Sequence, residues 1–336
     1  MPQTPENQAA WLKAPKATPL EVGPAPYPRP GPGQLVVQTA AVGINPIDCL
    51  KQSLGDAILP HIRYPTVFGE DVAGTVAAVG EGVTRFRVGD RVLAVAGLIP
   101  SNNPAEGAFQ RFTVVREWLT APLPEGVSVE QGCVLPLALI VAGLGLFGKG
   151  YLGLDPPTVP AHPTPADTGS RGVVIIAGGA SAVGSTGVQL AAAAGYEVVS
   201  TSSPKNFGFV KGLGAAHVVD YRSPTVEDEL LAAVRGRWLV GALSLGDGTA
   251  DYLATVLKRH DEGPGGPTKK FIARAEGKHS VEEGGEVEVK FILISPEVIG
   301  PVTPLRQIFE DYLPRALAEG QFVPRPKPEV VGKGTR

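Results

Sequence analysis

The sequence predicts an α/β protein in two parts, a small and partly open β-barrel followed by a doubly wound parallel sheet. Three observations carry this. Residues 173–177, VVIIA, form an unbroken apolar run, the pattern of a central parallel strand buried on both faces. A turn of small residues, Gly178-Gly179-Ala180-Ser181-Ala182-Val183-Gly184, then leads into a helical apolar pattern at Val188, Leu190, Ala191 and Ala194, which Gly195 closes as a C-cap glycine does. Between residues 34 and 115, short alternating runs are separated by glycine-bearing turns, the spacing of a small barrel.

In chain order, residues 1–33 are proline-rich and partly extended. Residues 34–42 alternate as a strand and are stopped by Asn45-Pro46, and a loop spans 51–64. Strands at 71–79 and 91–96 are bounded by the turns Gly80-Glu81-Gly82 and Val88-Gly89-Asp90, and 108–115 is one more strand. Residues 129–147 read as one buried helix, and 154–172 as a proline-rich surface insertion. After the 173–177 strand and its helix come a strand at 196–201, a helix through 209–213 and a strand at 217–219. A helix at 226–234, a strand at 238–245 and a helix at 250–259 follow. Strands at 271–274 and 287–294 and an amphipathic helix at 305–319 complete the pattern.

Such a strand–turn–helix–strand unit holds a dinucleotide diphosphate. The backbone must approach the phosphates, so side chains in the turn must be tiny, and the helix N-terminus supplies free N–H groups and partial positive charge. Gly179 and Gly184 take the first and last glycine positions of the usual pattern, with Ser181 at the middle one and Ala180, Ala182 and Val183 between. Without a ligand the same segment is an ordinary β-α-β unit. The end of the second strand chooses the nucleotide, because NAD sites place an acid there for the ribose hydroxyls. Here Ser200 to Asn206 contains no acid but offers Ser202, Ser203, Lys205 and Asn206. Hydroxyls and a lysine suit the 2′-phosphate of NADP(H); the alternative is a polar loop capping the next helix.

Composition excludes several classes. The 336 residues are 43% hydrophobic and 19% charged, enough for two filled cores, and a net charge of −3 gives no global attraction for nucleic acid or an anionic membrane. Glycine (43) and proline (33) are abundant, against long helical bundles. Two cysteines, Cys49 and Cys133, build neither a disulfide framework nor a cysteine-rich zinc site, which fits a reducing compartment and a cytoplasmic location. The N-terminal residues lack the apolar core of a signal peptide. The longest apolar run, 134–147, is broken by proline and glycine and falls short of the about 20 residues of a membrane span.

Three segments resemble the medium-chain dehydrogenase/reductase superfamily: Ala41-Val42-Gly43-Ile44-Asn45-Pro46-Ile47-Asp48; Gly69-Glu70-Asp71-Val72-Ala73-Gly74 running on to Val88-Gly89-Asp90-Arg91-Val92; and the small-residue turn. The resemblance covers nearly the whole chain. It implies a GroES-like domain over residues 1–130 and 296–336 and a Rossmann NADP-binding domain over 131–295. Ser203-Pro204-Lys205-Asn206-Phe207 and the proline-rich insertion are similar to a fungal branch. That branch holds stand-alone enoyl reductases serving polyketide synthases, and related oxidoreductases often called zinc-binding. Zinc members of the superfamily place a Cys where this chain has Asn45 and a His where it has Glu70, and their structural zinc needs four cysteines. His61 and Cys49 lie near in sequence, but two ligands do not close a site. The expectation is therefore no metal.

The resemblance further implies an NADPH-dependent enzyme that delivers hydride to an activated C=C bond of an enone or enoyl compound, with a carrier-tethered polyketide-type intermediate among the candidates and a polyketide synthase as partner. Alternatives are a quinone reductase, or a cofactor-binding protein with little catalysis. Asn45, with Ile47 and Asp48, is placed against nicotinamide and substrate; otherwise Asn45 is a turn residue before Pro46. Lys51 contacts a phosphate or oxyanion, or is a solvated surface lysine. Tyr64 is a proton donor or a packing residue. Tyr221 lines the adenine or 2′-phosphate side, Leu245-Gly246 end a strand at the cofactor edge, and Leu293-Ile294 pass near the nicotinamide. Ile140-Val141 depart from the family's hydroxyl residue there, which weakens orientation of the cofactor. Relatives continue past residues 330–334 with one more helix and strand, so either the chain is cut short or it lacks that element. A monomer and a homodimer paired through the 287–294 strand are both open.

Overall fold

The computed structural model describes residues 5–161, 171–261, 267–275, 277, 279–281, 284–295, 300 and 303–334. The chain divides into two units. The first comprises Met1–Leu137, Ile294–Pro301 and Leu313–Arg336, the second Ala138–Leu293 and Val302–Tyr312. The seam therefore falls inside the helix Pro136–Phe147 rather than at residue 130, and residues 302–312, expected with the barrel, belong with the sheet.

In the first unit, strands β1 (Asn7–Leu12), β2 (Glu21–Ala25) and β4 (Thr66–Val67) form a three-stranded antiparallel sheet in the order β2-β1-β4. Strands β3 (Gln34–Gly43), β5 (Asp71–Val79), β6 (Arg91–Ala96) and β7 (Phe112–Pro122) close into a barrel. The barrel was expected to be partly open. Closure follows from β7, which runs to Pro122 and pairs with β3 through its first half and β6 through its second. Alternate residues of these strands, among them Leu35, Val37, Val72, Val76, Val92, Ala94 and Val115, fill the interior, as period-two alternation requires.

Asn45-Pro46 does more than stop β3. It starts the helix Pro46–Leu54, with proline at the first helical position, where its missing N–H costs nothing. The Asp48 carboxylate reaches back to accept the Asn45 backbone N–H at 2.8 Å. Cys133 to Leu135 break the expected 129–147 helix into Val129–Gly132 and Pro136–Phe147. That stretch is apolar enough in composition to cross a membrane, but 72% of it is buried inside the protein.

The second unit is a six-stranded parallel sheet in the order β10-β9-β8-β11-β12-β13, built from β8 (Val173–Ile176), β9 (Glu197–Ser202), β10 (Ala215–Asp220), β11 (Leu239–Ser244), β12 (Phe271–Arg274) and β13 (Glu288–Phe291). The order reverses between β8 and β11. This is the doubly wound arrangement, in which the crevice at the carboxyl ends of the strands beside the reversal takes the ligand. Val173, Ile175, Val199, Leu239 and Ile272 of the sheet pack with Leu230, Val234, Leu253 and Leu257 of the helices Val226–Val234 and Thr249–Asp261. His260 is buried among them, its two ring nitrogens bonded to Thr268 Oγ1 (2.6 Å) and Val234 O (3.2 Å). Part of the proline-rich insertion, 162–170, lies outside the described residues.

Candidate functional site

The small-residue turn stands at the carboxyl end of β8, on the reversal point. Gly178, not Gly179, takes the tight bend, with φ of 80°, in the left-handed region that side chains disfavour. The glycine pattern in the sequence begins at Gly179, one residue after this bend. Gly179 and Gly184 are there for close approach. A Cβ on Gly179 would sit 2.1 Å from Ser200 Oγ, and one on Gly184 would sit 2.1 Å from the Gly178 carbonyl oxygen. Ser181, at the middle position of the pattern, caps the helix Ala182–Ala193, its Oγ accepting the Gly184 N–H at 3.0 Å. The N–H groups of Ala182 and Val183 come first in that helix and have no intrahelical acceptor. With the helix dipole they make an anion cradle, and half-buried Ala180 leaves its mouth small.

Beside the turn, β9 ends in Ser202, which is buried and donates to the Ser203 carbonyl at 3.3 Å, while Asn206 Nδ2 donates to Ser203 Oγ at 3.2 Å. Lys205 is exposed and makes no ion pair among the described residues. Asp220 of β10 lies opposite Ser202 in register, which brings Tyr221 to the same corner. Tyr221 is exposed, with the Arg222 guanidinium 5.3 Å from its ring centroid. Leu245 and Gly246 follow β11 directly, and the Leu245 carbonyl packs on Gly178, 2.6 Å from where a Cβ would stand.

Leu293 is not gathered with these groups. It follows β13 at the far edge of the sheet, three strand positions or about 14 Å from β8. Its N–H donates to Tyr151 Oη at 3.0 Å, and that hydroxyl donates to the Phe291 carbonyl at 3.1 Å. Tyr151 was not anticipated, since nothing in the sequence ties residue 151 to 293. Ile294 belongs to the first unit.

In the first unit a cluster of buried carboxyls surrounds Asn45. Its Nδ2 donates to Asp71 Oδ2 at 3.0 Å, and Asp71 Oδ1 accepts the Leu137 N–H at 2.6 Å. Burial pushes the Asp71 carboxyl up to about 7 against the pull of those two hydrogen bonds, and pushes Asp48 to about 6. Glu70 is fully buried and raised well above the ordinary range, first by burial and then by the charges of Asp48 and Asp71. Its Oε1, like Asp48 Oδ1, has no hydrogen-bond partner. Asp48, expected at the cofactor, turns inward as the helix-capping carboxylate, and Ile47 beside it is half-buried.

Two expected catalytic residues serve the fold. Lys51 is neither solvated nor free to meet an anion. It is fully buried, and Nζ donates to the carbonyls of Gly55 (3.2 Å), Ile58 (3.0 Å) and Leu59 (3.0 Å) and to Asp56 Oδ1 (3.0 Å). Tyr64 donates its hydroxyl to the same Asp56 oxygen at 2.9 Å, lies with its ring centroid 5.2 Å from Lys51 Nζ, and packs on Leu12, Ile62, Phe68 and Leu98. Burial raises its pKa, which makes it a weaker proton donor. His61 is bonded through Nε2 to the Ile99 carbonyl at 2.8 Å, and Cys49 is exposed. Among the described residues no three His, Cys, Asp or Glu side chains gather as a metal site.

The family model for the alcohol dehydrogenase GroES-like domain matches residues 31–125. The dehydrogenase pigH of Monascus ruber is 43% identical over 98% of this chain and 93% of its own length. The trans-enoyl reductase himH of Aspergillus japonicus is 33% identical over 98% and 90%. Among solved structures, an alcohol dehydrogenase superfamily protein from Novosphingobium aromaticivorans superposes with a TM-score of 0.71 at 25% identity, covering 95% of this chain and 89% of that one.

Two outcomes are expected. Lys51→Met should lower unfolding free energy in urea by roughly 2–4 kcal/mol, because it strands one buried and two partly buried carbonyls, while dinucleotide affinity is kept. The raised carboxyls set a pH slope: Asp48, Glu70 and Asp71 hold protons in the folded state that the unfolded chain gives up near pH 4. The contributions of Asp48 and Asp71 are fully present below about pH 4 and are lost as pH rises through about 6 to 7, and that of Glu70 is lost in the same direction. Thermal unfolding should therefore shift downward from pH 5.5 to pH 8, with a shallower slope in Asp71→Asn.

Proposed function

The chain belongs to the medium-chain dehydrogenase/reductase family of oxidoreductases, and from that premise we propose that it is an NADPH-dependent, zinc-free reductase of activated C=C bonds. The observation that carries the reading is the site in the second unit, where a turn that excludes side chains is followed, at the end of β9, by residues 200–206, which supply hydroxyls, an amide and a lysine and no acid.

The residues present fit a nicotinamide dinucleotide. A Cβ would fill the cradle at Gly179 and Gly184, and the first amides of the helix Ala182–Ala193 answer a diphosphate. Ser202, Ser203, Lys205 and Asn206 would hold the 2′-phosphate, with Tyr221 alongside, and Leu245-Gly246 would border the chain of the nucleotide. NADPH, when bound, supplies a hydride. Asn45 is fixed by Asp71, so its amide is oriented before substrate arrives, and orientation of that kind lowers a barrier without a metal. Glu70 and Asn45 are poor zinc ligands as placed. The Asn45 amide is committed to Asp71 and is not among the Cys, His and carboxylate donors zinc takes, and Glu70 alone does not complete a tetrahedral set.

The relatives support a substrate class. Three of them are named trans-enoyl reductases, at 33%, 32% and 37% identity, which supports an enoyl thioester, including one tethered to a polyketide synthase carrier.

The test is steady-state NADPH oxidation with enoyl thioesters, enones and quinones. Enoyl thioesters should be reduced with the highest kcat/KM; turnover of quinones alone would replace this reading with a quinone reductase. Lys205→Ala should raise the KM for NADPH about tenfold and leave that for NADH unchanged; equal losses would remove the lysine from the phosphate. Elemental analysis of the purified protein should find zinc well below one equivalent per chain, and a full equivalent would overturn the zinc-free assignment.

A further inference from the structure

The geometry points to Thr201 as the positioning residue of the dinucleotide turn, gripping two successive turn amides at once and locked in its rotamer by Tyr252. This inference rests on the cofactor reading above and extends it to residues that touch no ligand.

Thr201 lies in β9, fully buried, one residue before the strand ends. Its Oγ1 accepts the Gly178 N–H at 3.1 Å, and its backbone carbonyl accepts the Gly179 N–H at 2.9 Å. Gly178 is the residue that bends left-handed, and Gly179 is the one that cannot carry a Cβ. Both conformationally permissive positions are thus held by a single threonine from the neighbouring strand. The threonine is itself held, since its hydroxyl shares a hydrogen bond of 3.2 Å with Tyr252 Oη, from the helix Thr249–Asp261. On the other flank the Leu245 carbonyl packs against Gly178. The chain runs from helix to hydroxyl to turn and ends at the amides that face an incoming diphosphate.

Glycines make the close approach possible but do not select it, because each glycine populates many conformations. An unanchored turn would have to be ordered when the nucleotide binds, and affinity would fall by that cost. Thr201 removes the cost in advance. Because it acts on the diphosphate part of the site, its effect must be the same for NADH and NADPH, unlike that of Lys205.

The test is titration of the full-length protein with NADPH and NADH by nicotinamide fluorescence, with kcat and thermal unfolding measured alongside, for wild type, Thr201→Val, Thr201→Ser and Tyr252→Phe. Valine keeps the shape and suits a strand, but it leaves the Gly178 N–H unpaired. Thr201→Val should weaken both nucleotides about tenfold, leave their affinity ratio unchanged, and keep kcat at saturating cofactor within about twofold. Thr201→Ser should restore wild-type affinity, and Tyr252→Phe should show a smaller loss shared by both nucleotides. Unchanged affinities in Thr201→Val would overturn the inference, as would a loss confined to NADPH or a serine variant as weak as the valine one. If Thr201→Val does not fold, Tyr252→Phe decides: a shared loss supports the inference and no loss overturns it. Wild-type protein that binds neither nucleotide would instead bring down the cofactor reading itself.

Discussion

The second unit is organised around one steric constraint, the near-contact of the turn with the helix backbone and with the Ser200 hydroxyl where β8 gives way to the helix Ala182–Ala193. Gly184 lies so close to Gly178, and Gly179 so close to Ser200, that a single methyl group at either would overlap a neighbouring oxygen. Packing this tight pulls the helix N-terminus down onto the strand end and leaves its first amides pointing out at the reversal of strand order. Ser181 spends its hydroxyl on Gly184 and so stabilises the helix without occupying those amides. The small residues thus have two tasks, letting the helix dock and leaving room for an anion.

The first unit meets the opposite problem, charge in place of volume. Asp48, Glu70 and Asp71 are all buried, and Arg116 is committed to Glu106 at 2.7 Å. Hydrogen bonds from Asn45 and Leu137 soften the burial of Asp71 but do not cancel it, so its carboxyl is pushed up to about 7. Carboxyls so placed do not stabilise a fold at neutral pH, since desolvation outweighs what their partners return. What Asp71 does supply is position. It ties the Asn45 amide and the start of the helix Pro136–Phe147 to one strand end, and a side chain held in that way is preorganised.

Legibility followed the range of the interactions. Strands Asp71–Val79 and Arg91–Ala96 and the helix Val226–Val234 could be read from alternation and periodicity because burial on one face writes itself into every second or third residue. Strands β1 and β2 were hidden among prolines, and β4 is two residues long, too short for any period to show. Phe112–Pro122 was placed early and cut short, since its second half pairs with β6 across a turn in direction that local pattern does not record. At the site, turn and corner were legible because both depend on residue types a few positions apart. Lys51 was misread for the converse reason. A lysine is usually solvated, and only the fold of Gly55 to Leu59 back over the helix, bringing its carbonyls to Nζ, makes this one a buried clasp.

In the proposed cofactor site, grip and choice are separated within the second unit, and the separation has a physical basis. The diphosphate end would be held by backbone amides, which side-chain changes other than to proline leave in place and which are set by buried neighbours such as Thr201. The corner proposed to select the nucleotide consists of side chains at or near the surface, Ser203, Lys205, Asn206 and Tyr221, each replaceable without disturbing the sheet. Packed cores resist small changes and surface loops tolerate them. On the proposed reading, a chain built this way could change which dinucleotide it prefers by altering a few exposed residues after β9, while the turn proposed to bind either one stays locked by the strand beneath it.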